Sequence, residues 1–299
     1  MEWLLLRLAQ KWSAGIDMED ALLAAKNCNI KGQKAILNCL GEDYTEEERI
    51  TQSVKEYSTL LKRLYSDEVE GCISIKLSQL GLSLSYDLCL KNLKLITARA
   101  KDFDIFIWID MESSKYTDDT LAIYLELVNY YKNIGVVLQS TLKRSASDLL
   151  HLLEVDGKVR LVKGAYPENE EIAFHSNAEI SANYIKLLEI IFDISRSRGY
   201  HLTNTKVNNT LMFAIATHDS RLIEFAIELW KKSRRVSITN FEFQFLRGIR
   251  DDLKKDLAEK GFRIAEYIPY GREYLRYSIR RLRERKRNMF VLARSLVQS

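Results

Sequence analysis

Charged side chains that fall within apolar runs are the residues of this chain best placed to do chemistry. Lys76 and Asp110 each close such a run, and Arg160 lies inside a third. An ionised group enclosed by apolar neighbours is costly unless it finds a partner, so all three need a counter-charge or a polar ligand. Spacing alone leaves two readings open: a structural ion-pair network beneath the loops, or a site in which the same charges hold a substrate. Arg160 is the harder of the three to explain structurally. Lys163 follows it closely, and the second cation adds to the need for an anion.

A second cluster lies near the end of the sequence. Residues 272–287 (REYLRYSIRRLRERKR) carry eight Arg or Lys against two Glu, so the stretch is +6 while the whole chain is only +4. Basic residues suit the last turn of a helix, which accounts for those from Arg283 onward. Arg280 and Arg281 sit in mid-helix, three and four residues after Tyr277, and share its side of the helix. Two adjacent guanidinium forks beside a phenol suit a small carboxylate. A nucleic-acid surface on the same Arg-rich helix is the competing reading, and strong salt dependence would be its mark.

The elements that would carry these residues alternate. Short β-branched runs recur at AILNCL (35–40), CISIKL (72–77), IFIWID (105–110), IGVVLQ (134–139), VRLVKG (159–164), LMFAIAT (211–217), SITNFEFQFL (237–246) and RIAEYIP (263–269). Stretches of helical period separate them, among them 118–133, 178–198 and 219–232, the last with Asp219 as its N-cap. Eight strands alternating with helices predict an α/β fold of the (β/α)8 type, with a doubly wound sheet as the structural alternative. Residues 1–33 read as a short helical N-terminal arm and 34–299 as the barrel. In such a barrel the chemistry sits at the C-terminal strand ends. Polar residues stand at or near those ends here: Lys76, Asp110 with Met111 and Glu112, Gln139, Lys163 with Gly164 and Ala165, Thr217 with His218, Glu242 with Gln244, and Tyr267.

Composition narrows the class. With 46% hydrophobic and 29% charged residues the chain is globular rather than disordered. A net charge of +4 is too weak to imply a nucleic-acid protein. Cysteines 28, 39, 72 and 89 have neither metal-ligand nor C-x-x-C spacing, and with no H-E-x-x-H a metal site is not expected. No apolar run is long enough to span a bilayer. The opening MEWLLLRLAQKW reads as an amphipathic helix rather than a signal peptide, which makes the cytoplasm the default. Glycine fingerprints for dinucleotides, a P-loop and a G-x-S-x-G elbow are all missing.

Taken together, LGE (40–42), SIKLSQLGL (74–82), IDMES (109–113), VVLQSTLKR (136–144), VRLVKGAY (159–166), ATHD (216–219), EFQFLRGIR (242–250) and YIPYGREYLRYSIRRLRER (267–285) resemble the FAD-dependent proline dehydrogenases of the single-function bacterial type, in order and over roughly residues 10 to 290. The resemblance implies a distorted (β/α)8 barrel with its last helix over the C-terminal face. It implies oxidation of L-proline to Δ1-pyrroline-5-carboxylate by hydride transfer from proline C5 to FAD N5, with electrons passed on to a quinone. A related barrel flavoenzyme acting on another cyclic amino acid is the alternative within that class. By position, Arg280 and Arg281 correspond to the pair that grips the proline carboxylate. Lys76 would reach the same carboxylate and pair with Asp110. Tyr267 and Tyr277 would wall the proline ring, and Arg160 would lie near flavin N5. Met111, Gln139, Lys163, Gly164, Ala165, Thr217, His218 and Gln244 correspond to cofactor contacts, with Thr217 and His218 on the ADP side. The implied partners are proline, the quinone and a pyrroline-5-carboxylate dehydrogenase that takes the product. The implied location is the cytoplasm, with at most peripheral contact at the membrane surface.

Overall fold

A computed structural model describes residues 11–197, 212–233, 236–274 and 277–278. Eight parallel strands close into a barrel in sequence order: β1 (Lys34–Cys39), β2 (Gly71–Ile75), β3 (Ile107–Ile109), β4 (Ile134–Gln139), β5 (Val159–Val162), β6 (Phe213–Ala216), β7 (Phe241–Leu246) and β8 (Ile264–Tyr270). Closure is made by β1 against β8, where Ile36 lies opposite Tyr267 and Asn38 opposite Pro269. The doubly wound alternative is thereby excluded, since an open sheet has no such pairing.

Helices cover the outside of the barrel: α1 (Met18–Ile30), α2 (Glu47–Ser66), α3 (Tyr86–Asp102), α4 (Thr117–Val128), α5 (Ser145–Glu154), α6 (Asn177–Ser197), α7 (Ser220–Lys232) and α8 (Asp251–Glu259). Their starts follow local chemistry. Asp17 caps α1 by accepting from the Asp20 amide, Ser85 caps α3, and Asp219 caps α7 by accepting from the Arg221 amide, as its position predicts. α1 buries Ala21, Leu22, Ala25 and Cys28 and packs on β1 and β8. Residues 1–10 of the expected arm lie outside the described residues. So does the last helix expected over the C-terminal face, beyond Ser278.

Most apolar burial is between the barrel and its helices, where one continuous core runs from Ala21 to Tyr270. The barrel interior is different. Its apolar part is small, built on Ile36, Trp108, Ala214 and Ala265. Asn38, Ser74, Arg160, Glu242 and Gln244 are also buried. Side chains alternate along a strand, so every second residue points to the barrel axis. That rule puts Cys72 and Ser74 of β2 inside, and likewise Glu242 and Gln244 of β7. Gly135 of β4 makes room for the neighbouring indole: an added Cβ there would come within 2.5 Å of Trp108 Cζ3.

Candidate active site

The C-terminal mouth of the barrel opens into a cavity of about 520 Å³. Lys76, Asp110, Met111, Gln139, Arg160, Lys163, Gly164, Ala165, Thr217, His218, Gln244, Tyr267 and Tyr277 all line it. The residues expected from the sequence thus come to one place from seven strands, β2 to β8. Arg280 and Arg281 lie outside the described residues.

Asp110 and Arg160 form its floor. The Asp110 amide donates to Ile75 O, which sets the residue just above the last rung between β2 and β3. Its Oδ1 accepts from Arg160 Nη2 and from Ser74 Oγ at 3.0 Å, and its Oδ2 accepts from the Tyr267 hydroxyl at 2.8 Å. Arg160 Nη2 also donates to Ser74 Oγ at 2.8 Å. The guanidinium carbon stands 5.2 Å from the Trp108 ring centroid and 5.5 Å from that of Tyr267, within cation–π range of both. Burial pushes the Tyr267 phenol well above its ordinary pKa and the Asp110 charge adds to the rise, so the hydroxyl keeps its proton and donates it to the carboxylate.

Lys76 does not pair with Asp110 as expected. Its Nζ reaches Glu42 Oε2 at 2.5 Å, and the Tyr166 hydroxyl donates to the same oxygen at 2.9 Å. The reason lies in the layering. Ser74 and Arg160 already occupy one Asp110 oxygen and Tyr267 the other. Lys76 begins a 3-10 turn (Leu77–Leu80) one layer nearer the mouth, where the loop after β1 presents Glu42. Glu42 and Tyr166 are contributors that residue-by-residue reading passed over. Both stand in motifs already singled out, LGE and VKGAY, but neither lies in an apolar strand where a charge draws notice.

Behind Lys76, Glu112 is buried with its carboxylate accepting from the Ser78 amide at 3.0 Å and the Ser78 hydroxyl at 2.5 Å. Burial raises its pKa to about 7, against the pull of the Lys76 charge and the Ser78 hydrogen bonds. Gln139 Nε2 donates to the Glu112 carbonyl at 2.9 Å, joining β4 to the loop that carries Met111.

Across the cavity, Lys163 Nζ pairs with Asp219 Oδ2 at 3.0 Å. Burial works to raise the Asp219 carboxyl, but Lys163 and Arg221 outweigh it and hold the group below its usual value. Asp219 thus caps α7 and anchors a cation at once. His218 Nε2 accepts from the Leu246 amide at 3.1 Å, which in the neutral ring assigns the proton to Nδ1. Gly164 has φ +112°, and a Cβ there would lie 1.9 Å from Thr141 Oγ1, so the wall stays bare at that point. Tyr277 packs with Trp12, Leu40 and Ile249, which brings the N-terminal segment to the rim.

The chain matches a family model described as proline dehydrogenase over residues 21–294. It is 33% identical over 285 residues to proline dehydrogenase 1 of Bacillus subtilis subsp. natto, an alignment covering 95% of this chain and 89% of that protein. To the proline dehydrogenase of Deinococcus radiodurans it is 32% identical over 296 residues, covering 97% and 90%. Among solved structures it is similar to proline utilization A from Bdellovibrio bacteriovorus inactivated by N-propargylglycine, with TM-score 0.81, 22% identity and 93% of this chain covered. The chain spans about a third of that protein's length (32%), and the likeness is one of fold.

Proposed function

The chain belongs to the proline dehydrogenase family, and from that premise we propose that the cavity at the barrel mouth oxidises L-proline to Δ1-pyrroline-5-carboxylate with a bound FAD. The observation that carries the reading is the Asp110–Arg160–Tyr267 cluster on the floor of that cavity, one layer beneath Lys76.

The residues present suit a flat anionic cofactor. Gly164, Ala165 and Ala216 keep part of the lining low, Met111, Val137 and Val162 make it apolar, and Lys76, Arg160 and Lys163 bring cations to it. Lys163, Gly164 and Ala165, together with Gln139, Thr217 and His218, would hold the FAD. When bound, the flavin supplies the two-electron acceptor for the hydride that leaves proline C5.

The remaining work is positioning and charge. The proline carboxylate is assigned to Arg280, Arg281 and Lys76. Lys76 is neutralised by Glu42 here, so the substrate carboxylate takes over a place that Glu42 now fills. Tyr267 and Tyr277 are assigned to the sides of the proline ring. Arg160 is a fixed cation beside the reacting centre: already hydrogen-bonded, it offers positive charge to developing negative charge with little reorganisation. Gripping the substrate at one end and confining its ring at the other turns binding into orientation. Electrons then pass to a quinone, which brings the enzyme to a membrane surface transiently. No helix among the described residues is long and apolar enough to cross one.

Anaerobic titration with proline tests the reading. The purified protein should be yellow, and its flavin absorbance should bleach as proline is added. A colourless protein that takes up no added FAD, or a flavin that proline leaves oxidised, would overturn it.

A further inference from the structure

We propose that Glu242 is a positioning residue, which fixes the amide of Gln244 so that the amide oxygen holds Arg160. The proposal deepens the reading above and rests on the role given there to Arg160.

Glu242 and Gln244 are two residues apart on β7, both buried, both facing the barrel axis. Gln244 Nε2 donates to Glu242 Oε1 at 2.7 Å, and Gln244 Oε1 accepts from Arg160 Nη1 at 3.3 Å. A glutamine amide can turn either end to a neighbour. Here its neighbours are of opposite kind. A carboxylate only accepts and a guanidinium only donates, so one of the two orientations satisfies both contacts and the other satisfies neither. Glu242 thus dictates that the oxygen faces Arg160. With a neutral amide at position 242, the charge that pins the NH2 end of Gln244 is gone, and Arg160 alone is left to hold the orientation of the amide.

The contact matters for Arg160 because its other anchors are grouped. Asp110 and Ser74 both hold Nη2. Gln244 holds Nη1 and prevents the guanidinium from swinging about that pivot. Glu242 is in turn steadied from below: its Oε2 lies 3.9 Å from Arg263 Nη2, and Arg263 Nη1 donates to Thr239 O at 2.8 Å. Both residues line a second cavity of about 240 Å³ near the N-terminal strand ends. A polar chain therefore runs along the barrel axis from Arg263 through Glu242, Gln244, Arg160 and Asp110 to Tyr267. An apolar barrel core would fill that space more simply. A chain of oriented donors and acceptors instead ties one cation to a set position.

The test uses the flavin-loaded enzyme and four variants, one of them for signal assignment, with two readouts. The first is NMR of the Arg160 guanidinium in protein labelled with 15N-arginine, assigned by its loss in Arg160→Lys. Slow rotation keeps the Nη1 and Nη2 signals apart, and a freed group averages them. The second is kcat and KM for proline. Glu242→Gln should average the Arg160 signals and lower kcat about tenfold, with KM within about twofold, because a misplaced charge acts on the reacting centre rather than on capture. The exchange Glu242→Gln with Gln244→Glu rebuilds the chain in reverse, since Gln at 242 then donates to Glu at 244, which accepts from Arg160. It should recover both readouts. Gln244→Met cuts the same link without touching the Arg263 pair and should reproduce the single-variant changes, which keeps the test open should Glu242→Gln fail to fold. Unaltered Arg160 signals in Glu242→Gln or in Gln244→Met overturn the proposal, as does an exchanged pair no better than the single variant. Averaged signals with unchanged kcat would support the positioning and instead overturn the catalytic role of Arg160.

Discussion

Two ion pairs lie one layer apart in the same cavity, and they differ in kind. Arg160–Asp110 has side chains only 4% and 13% exposed, with further hydrogen bonds to each partner. Lys76–Glu42 is 11% and 30% exposed and lies where the loops meet solvent. The inner pair is expensive to break, because the surviving charge is left in a low-dielectric interior. The outer pair is cheap to break, because water can replace either member and an incoming anion can replace Glu42. The proposed reaction, which holds one cation still and releases another for substrate, needs both kinds. The difference teaches that depth, rather than charge, separates the scaffold from the exchangeable part.

Asp110→Ala should have the largest effect. It strands Arg160, so stability should fall by about 3–5 kcal/mol, read from the urea midpoint, with kcat/KM reduced by about 100-fold or more. A loss no greater than that of a rim substitution would erase the distinction between the layers.

Glu112 sharpens it through pH. Its pKa rises on folding from 4.5 to about 7, so between those values the folded state binds a proton that the unfolded state has lost. Its contribution to stability is therefore present below about pH 4.5 and lost as pH rises through 7, by roughly 3 kcal/mol. Glu112→Gln should flatten the stability profile between pH 4.5 and 7.5 by that amount. A variant with the wild-type profile would show that another group sets the dependence.

Arg281→Lys tests the proposed capture of the substrate carboxylate. Loss of charge-assisted hydrogen bonds worth about 1.5–3 kcal/mol predicts a 10- to 150-fold fall in kcat/KM, with the melting temperature retained. Steady-state kinetics like those of the parent enzyme would remove Arg281 from the carboxylate site.

Glu42→Gln should have the smallest effect on folding, a change within about 1 kcal/mol in the same urea experiment. A cost comparable to that of Asp110→Ala would mean that the outer pair is as structural as the inner one.

Local chemistry made much of this architecture readable. IGVVLQ forms a strand over its full length, Ile134–Gln139, because both of its faces are buried. Asp219 caps α7 as its place before an amphipathic stretch requires. Boundaries moved where side chains compete with the backbone. The seventh strand was expected from 237 but begins at Phe241, because Ser237 and Asn240 close a capping box around a 3-10 turn. The fourth helix was expected to reach 133 but ends at Val128, with Asn129 as its C-cap and Tyr130 exposed.

Sequence by itself determined much of the cavity lining: alternation along the strands and the rule that strand ends face the mouth are local properties, and they brought Lys76, Asp110, Arg160, Gln139 and Tyr267 together. Tertiary structure alone decided who partners whom. Lys76 goes to Glu42, Arg160 to Asp110, and Gln244 turns its oxygen to Arg160, because barrel closure and shear set the height of each side chain relative to residues far away in the chain. A buried charge takes the nearest acceptor in its own layer, and layers exist only once the strands are in register.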